Sequence, residues 1–245
     1  MTSIKNILFF ALYILVNPRL IRKIIQGLYL PVYAQYEWLK KYKIHTIIDI
    51  GAYHGLVAEA LSYIFPKADI YCFEPIEENI RKIRRRKFSK TPTIERIAVS
   101  NKVGNSSFYK NSFSPASSLK RPRILEGFGF ISRFKRTTVP TTTLDAYFGK
   151  TSLKEKIFLK IDVQGAEDMV LEGGRELLKR VSIVHIETAF RPLYKGERLF
   201  GDIYNLLIDE GFKYAGEIPD AEFYPQFGQT EYSNSIFIKS KLLDK

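Results

Sequence analysis

The sequence predicts an α/β fold in which a doubly wound, largely parallel sheet is covered by helices. From residue 44 onward, short apolar runs of strand length alternate with amphipathic stretches of helical period, the order typical of such a sheet. The composition, 45% hydrophobic and 26% charged, is that of a folded globular chain. With 245 residues the chain is long enough for one large domain, which we assign to residues 44–245.

Residues 1–43 form a separate N-terminal segment of apolar and amphipathic character. The apolar run at 7–16 would be about 15 Å long as a helix, too short to cross a bilayer alone. No cleavage site of small residues follows it, which disfavours a signal peptide. Two interpretations stay open: residues 1–30 lie on a membrane surface or dock on a partner, or they pack on the domain's own core or on a second subunit. After the apolar run, three aliphatic residues share one helical face: Leu20, Ile24 and Leu28.

Apolar periodicity sets the order of the elements within the domain. Pro66 and Gly211 end helices, and Pro75 ends a strand. The stretch 110–136 has no sustained period, so we predict a lid-like loop there, of a length typical of functional loops. Strands are predicted at 44–50, 69–74, 94–99, 107–110, 157–163, 182–187, 213–217 and 233–239, helices at 56–64, about 76–87, 166–179 and 201–210, and regular structure resumes at 137–144 after the loop.

The net charge of +12 is concentrated in three stretches. Residues 1–45, 76–90 and 110–136 each hold seven basic side chains against one or two acidic ones. This segregation favours an anionic partner, such as a membrane surface, a phosphorylated or acidic substrate, or nucleic acid, over a basic surface that only keeps the chain in solution. The single cysteine, Cys72, excludes an internal disulfide framework and fits a cytoplasmic protein.

Two strand exits carry the pattern of a nucleoside-binding site. The first strand leaves through Asp49-Ile-Gly51-Ala52-Tyr53-His-Gly55, where the glycines allow a tight turn and a close approach of a ligand. The second strand ends in Glu74-Pro75, which places a carboxylate where it can accept hydrogen bonds from both hydroxyls of a ribose. A dinucleotide would require a G-x-G-x-x-G turn, which is missing. An aspartate near the ligand suits the amino group of S-adenosylmethionine better than a pyrophosphate.

Five strings in register resemble the FkbM-type S-adenosylmethionine-dependent methyltransferases: TIIDIGAYHG, YCFEP, RIAVSNKVGNSSFY, TTLDAYF and FLKIDVQGAEDMVLEGG. The resemblance covers roughly residues 40–240. It implies a class I methyltransferase, a Rossmann-like fold with a seven-stranded sheet whose last strand is antiparallel, and O-methylation of an alcohol. It also implies that Ala98 and Val99 lie near the adenine. The chain departs from the family at Tyr53, where Asn is frequent, and at Gln164, where Glu is frequent.

Transfer of a methyl group to an alcohol requires removal or polarisation of a hydroxyl proton, by a base, a metal or both. The candidate catalytic residues are Asp162 and Glu187, at the ends of the strands predicted at 157–163 and 182–187, and His54 in the glycine turn. A divalent cation such as Mg²⁺ bound by Asp162 and Glu187 stays an open alternative. So do structural roles, with Asp162 as a helix cap, Glu187 in an ion pair and His54 as a spacer.

Ser117 and Ser118 in the predicted lid resemble a family motif, and we expect them to contact substrate, with Lys120 and Arg121 suited to a phosphate or acidic sugar. The predicted reaction is O-methylation of a saccharide, glycolipid or related metabolite, at the cytoplasmic face of a membrane or in the cytoplasm. Ribose methylation of RNA and a non-catalytic cofactor-binding module are the competing functions. The charge of +12 suits RNA, but the Asn/Asp-Pro-Pro-aromatic motif of base amino-methylation is missing. The oligomeric state is open.

Overall fold

A computed structural model describes residues 11–25, 27–112, 114–123, 133–218, 223–224 and 229–243. Its centre is a seven-stranded sheet of order β3-β2-β1-β7-β8-β12-β9. The five strands from β3 to β8 run parallel, and β12 pairs antiparallel with both β8 and β9. The prediction of a mostly parallel sheet with an antiparallel final strand is therefore confirmed. The strands are β1 (Thr46–Ile50), β2 (Asp69–Phe73), β3 (Thr93–Glu95), β7 (Ile157–Ile161), β8 (Val181–Ala189), β9 (Phe212–Ile218) and β12 (Tyr232–Lys239).

Helices form a layer on each side of this sheet, because β1 and β7 are buried along their whole length and both of their faces must be covered. Two apolar clusters result, one on either side of the strands. The helices are α1 (Arg19–Ile25), α2 (Leu30–Tyr36), α3 (Leu56–Ile64), α4 (Glu77–Arg84), α5 (Leu144–Phe148), α6 (Glu167–Glu172), α7 (Arg175–Leu178) and α8 (Phe200–Asp209), with short 3₁₀ turns at Glu37–Tyr42, Ser114–Ala116 and Ser240–Leu242.

A second, three-stranded sheet lies beside the first, made of β4 (Ala98–Val99), β5 (Gly104–Asn111) and β6 (Phe134–Thr142) in the order β4-β6-β5. The single strand predicted at 94–99 is wrong in this respect: the chain leaves the main sheet after Glu95 and pairs Ala98 and Val99 with β6. A further strand pair, β10 (Phe223–Tyr224) with β11 (Gln229–Thr230), completes the strands that the structure describes.

The predicted helix at 166–179 is broken into α6 and α7 at Gly173-Gly174. A side chain at Gly173 would overlap the carbonyl oxygen of Ser100, so the glycine lets the helix approach the end of β4. The two ends of the predicted loop at 110–136 belong to β5 and β6. Between these strands the structure describes residues 112, 114–123 and 133. Positions 113 and 124–132 lie outside the described residues.

The N-terminal segment packs on the sheet through one side of its helices. Leu20, Leu28, Leu30 and Tyr36 are buried in the same cluster as β1 and α3. Residues 11–16 are also helical, whereas positions 1–10 of the predicted apolar segment lie outside the described residues. Within the described part of the chain, no helix has the length and apolar character needed to cross a membrane.

Candidate cofactor and catalytic site

A cavity of about 700 Å³, partly open to solvent, lies at the carboxyl ends of β1, β2 and β7. This is the edge of a parallel sheet where ligands bind. One wall is apolar, with Phe73, Ile97 and Phe108, and the other carries polar groups. Of the residues predicted from sequence, the cavity brings together eight: Gly51, Tyr53, Glu74, Pro75, Ala98, Val99, Ser117 and Asp162.

The floor of the cavity is the turn after β1. The amides of Gly51 and Ala52 both donate to the carbonyl of Phe73, at 3.0 and 3.1 Å, which ties the turn to β2. Gly51 has a φ of +74°, and a side chain there would overlap the carbonyl oxygen of Asp162. Gly55, also at positive φ, precedes α3. A glycine is therefore required at 51 by both backbone conformation and space.

Glu74 lies at the end of β2 with only 4% of its surface exposed. Its Oε2 accepts the amide of Tyr53 at 3.0 Å, and its Oε1 accepts the amide of Ile76 at 2.9 Å and Nδ2 of Asn79 at 3.2 Å. Burial raises the pKa of Glu74 to about 7, although these three donors favour the ionised form. The carboxylate is thus fixed in orientation at the cavity wall before any ligand binds.

Asp49 does not line the cavity. It is fully buried within β1, and its carboxylate faces the ammonium of Lys160 at 3.3 Å in an ion pair without hydrogen-bond geometry. The structure thus places Asp49 beside Lys160 on the neighbouring strand β7 and not on the cavity wall, because β1 is buried on both faces. Burial raises the pKa of Asp49, and Lys160 opposes this.

Lys160 joins Asp49 to Asp162. Its Nζ lies 3.4 Å from Oδ2 of Asp162 and 3.4 Å from the carbonyl of Gly51. Burial alone would lower the pKa of Lys160, but the two carboxylates raise it above its ordinary value. The lysine is therefore charged, and it connects the buried aspartate, the glycine turn and the cavity.

Asp162 lines the cavity, with about a third of its side chain exposed. Nε2 of Gln164 donates to Oδ1 of Asp162 at 3.0 Å and to Oε2 of Glu187 at 2.8 Å. The hydroxyl of Tyr194 donates to Oε1 of Gln164 at 3.4 Å, which fixes the orientation of the amide. Burial, followed by the charges of Asp162 and Glu167, raises the pKa of Glu187 well above its ordinary value. Glu187 stands behind Gln164 and is not part of the cavity lining.

This arrangement does not fit a divalent cation at Asp162 and Glu187. The position between the two carboxylates is occupied by an amide donor, whereas Mg²⁺ and Ca²⁺ take oxygen ligands. Within the described ranges, no group of three or more His, Cys, Asp or Glu side chains is placed to hold a metal ion.

The histidines lie outside the cavity. His54 stacks on Tyr53, and its Nε2 accepts from Nζ of Lys82 at 2.8 Å. Burial together with Lys82 and Arg86 lowers the pKa of His54. Its predicted role as a base is not supported by this geometry. His185 is a buried core residue that bonds the hydroxyl of Tyr36 at 2.8 Å and Oδ1 of Asn234 at 3.0 Å.

Residues 114–123, which we call the cover segment, close one side of the cavity. Ser117 lines it, whereas Ser118 is buried in a backbone pair with Tyr109. From the sequence we expect Lys120 to lie beside an anionic substrate. In the structure its ammonium donates to the carboxylate of Asp168 and to the carbonyl of Gly196, each at 2.7 Å. Arg121 is exposed, and its carbonyl accepts the amide of Lys195.

Three further residues belong to this site, although the sequence predicts no functional role for them: Lys160, Tyr194 and Glu167. Lys160 had a recognisable signal, a charged residue in the middle of an otherwise apolar strand, IFLKI. Glu167 turns back so that its Oε1 accepts the amides of Val163 and Gly165, and burial raises its pKa to about 8. Tyr194 lies in an irregular loop and had no such signal.

In a comparison with known protein families, residues 49–214 of this chain match the family described as Methyltransferase FkbM domain. The 2-O-methyltransferase NoeI of Sinorhizobium fredii (strain NBRC 101917 / NGR234) is 26% identical over 177 residues, 66% of this chain and 70% of that protein. A solved structure of methyltransferase FkbM from Methylobacillus flagellatus KT is 13% identical with a TM-score of 0.49, over 80% of this chain but only 44% of that one. The plantazolicin methyltransferase BpumL in complex with SAH is 10% identical with a TM-score of 0.47, over 97% and 91% of the two chains.

Proposed function

Because the chain belongs to the FkbM methyltransferase family, we propose that it transfers a methyl group from S-adenosylmethionine to a hydroxyl of a saccharide, glycolipid or related metabolite. The family accounts for methyl transfer and for the cofactor. The observation that supports a hydroxyl acceptor is the exposed carboxylate of Asp162, held at the cavity wall by Lys160 and Gln164.

The residues of the cavity fit S-adenosylmethionine. Glu74 can accept a hydrogen bond from a ribose hydroxyl through Oε2, which has one protein donor where Oε1 has two, since its carboxylate already lies at the wall. The apolar wall of Ile97, Ala98 and Val99 suits the adenine ring. Gly51 lets the turn after β1 lie directly against the end of β7, because a side chain there would meet the carbonyl oxygen of Asp162.

Asp162 is the proposed base. The bound cofactor supplies the methyl group on a sulfonium, and transfer is an in-line displacement that depends on positioning the acceptor oxygen. Lys160 and Gln164 hold the two oxygens of Asp162, so that one lone pair is directed to the cavity to accept the hydroxyl proton. Glu187 shares the Gln164 amide and thereby helps to fix it.

Two observations support the acceptor class. NoeI, the similar curated protein, is a 2-O-methyltransferase, which favours oxygen as the atom methylated. The cover segment adds hydroxyl groups to the cavity, from Ser114 and Ser117, which suit an acceptor rich in hydroxyls. Ribose methylation of RNA remains the competing function, favoured by the net charge of +12.

The cofactor step is tested by calorimetric titration of S-adenosylhomocysteine into the wild type, Glu74→Ala and Glu78→Ala. Glu78 is an exposed glutamate on α4 that pairs with Lys110, so its variant is the matched control. We expect Glu74→Ala to weaken binding by about tenfold or more, because it loses charge-assisted hydrogen bonds, and Glu78→Ala to bind like the wild type. A folded wild type that does not bind would contradict the proposal.

The acceptor step is tested by transfer of labelled methyl groups to a glycolipid extract and to total RNA. We expect label in the glycolipid fraction, with turnover lost in Asp162→Ala while S-adenosylhomocysteine still binds. Label in RNA alone would replace the proposed acceptor with ribose. Binding of the cofactor without transfer to either class would favour a non-catalytic module.

A further inference from the structure

The N-terminal helices expose an unusual number of large apolar side chains. Residues 11–16 and α1, although anchored on the sheet through Leu20 and Ile24, turn aliphatic groups to the solvent on their other side. We call this set the N-terminal face, with exposed fractions of 56% for Leu12, 74% for Leu15, 75% for Val16, 47% for Ile21, 80% for Ile25 and 52% for Tyr29. Single exposed apolar residues need no explanation, but five aliphatic residues and a tyrosine within 18 residues do.

The face belongs to one continuous piece of the surface. Tyr13, on the helical stretch 11–16, bonds the carboxylate of Glu37 in the 3₁₀ turn. Lys23 of α1 and Lys40 of the same turn both lie over the ring of Tyr33, at 5.8 and 5.4 Å from its centroid. The helical stretch, α1 and the 3₁₀ turn are therefore held side by side, and the apolar patch lies on neighbouring elements.

The charge beside the patch is positive. Residues 11–43 contain six Lys and Arg residues and one acid, Glu37, which is itself bound to Tyr13 and Lys40. Arg22, Lys41 and Lys43 are exposed. A second copy of the chain would bring a patch of the same sign against this one, whereas an anionic lipid surface would pair with it.

We propose that the N-terminal face lies on the surface of an anionic membrane, with the aliphatic side chains in the acyl boundary and the lysines and arginine among the headgroups. Apolar residues on one side of a helix with basic residues at its edge are the two signals that together hold a protein at a bilayer interface. This inference is independent of the proposed reaction.

The test is co-sedimentation of the full chain with vesicles of phosphatidylcholine alone and of phosphatidylcholine mixed with phosphatidylglycerol. We expect the wild type to bind the mixed vesicles and to dissociate as salt is raised. Leu15→Ser with Val16→Ser should lower the partition coefficient at least about tenfold, because two exposed aliphatic groups are removed. The control is Val103→Ser, an equally exposed apolar side chain, at 67%, in the turn between β4 and β5.

Ile25→Ser, at the most exposed position of the face, gives a second variant should the first fold poorly, and binding of S-adenosylhomocysteine checks that each variant is intact. A wild type that binds neither vesicle, or variants that bind as well as the wild type, would overturn the proposal. Equal binding to both vesicles would overturn its anionic part. A wild-type dimer that the Leu15 and Val16 changes convert to a monomer, without vesicle binding, would assign the face to a second copy instead.

Discussion

Replacing Lys160 with methionine removes the cation between two carboxylates while keeping a long apolar stem. The lysine side chain is 7% exposed and that of Asp49 1%, with 3.3 Å between their charged atoms. At an effective dielectric constant of about 20, this separation corresponds to about 5 kcal/mol of Coulomb attraction. Desolvation offsets part of that attraction, but the variant leaves Asp49 buried without a cation. Loss of one partner of such a pair costs about 3–5 kcal/mol.

The measurement is urea unfolding followed by the fluorescence of Trp38, the single tryptophan, which packs against the cluster on the α3 side of the sheet. We expect Lys160→Met to lower the free energy of unfolding by about 3–5 kcal/mol. In Lys160→Met with Asp49→Asn the buried charge is gone, so about 2 kcal/mol or more should be regained. Neither residue lines the cavity, so the double variant should still bind S-adenosylhomocysteine.

The matched control is Lys179→Met, which breaks an exposed pair with Glu176 and should leave the unfolding midpoint where it is in the wild type. The reasoning is refuted if Lys160→Met is as stable as this control. It is also refuted if the double variant is no more stable than Lys160→Met, because the cost would then come from packing and not from the unpaired carboxylate.

Two further predictions concern the cavity. Gly51→Ala should abolish binding of S-adenosylhomocysteine in calorimetry, because the new side chain meets the Asp162 carbonyl. The control is Gly104→Ala, which is also at positive φ but has open space around it and should bind normally. Binding by Gly51→Ala would contradict the steric argument. Burial raises the pKa of Glu74 from 4.5 to about 7, so the folded protein holds a proton there that the unfolded chain releases. The stabilisation of the fold by this proton is fully present below the unfolded pKa of 4.5 and is lost as the pH rises through about 7. Urea titrations between about pH 5 and about pH 8 should show a fall in wild-type stability that is smaller in Glu74→Gln, while wild-type affinity for S-adenosylhomocysteine rises over the same range; parallel curves for the two proteins would rule this out.

Some residues of the site could be predicted because their neighbours in the sequence identify them. Gly51 and Glu74 follow buried strands, and parallel strands bring their carboxyl ends to one edge. The strands β9 and β12 were likewise predicted, from the apolar runs at 213–217 and 233–239.

What could not be predicted depends on pairs far apart in the chain. Asp49 and Lys160 meet because β1 and β7 are neighbours in register, which apolar periodicity does not reveal. Lys120 is neutralised by Asp168 through a contact that no spacing indicates. The departure of Ala98 from the main sheet follows from pairing with Thr141, across a stretch without any periodic signal. Hydrophobic pattern determines which residues are buried, but not which buried charge finds which partner.

The cover segment is attached to the loop at 193–195 through its own main-chain atoms. Two hydrogen bonds join main-chain atoms of both, from the Arg123 amide to the Leu193 carbonyl and from the Lys195 amide to the Arg121 carbonyl. In a third, the hydroxyl of Tyr194 donates to the main-chain carbonyl of Ala116 at 3.2 Å. Such bonds persist whatever side chains the segment carries. Exchange of Leu119, which lines the cavity, would leave these bonds in place but would change its packing against the buried cluster that contains Ile76 and Phe108. In the proposed reaction, the cover segment is therefore a region where substitutions would change acceptor preference while its backbone attachment stays in place, for natural drift and for a directed-evolution library alike.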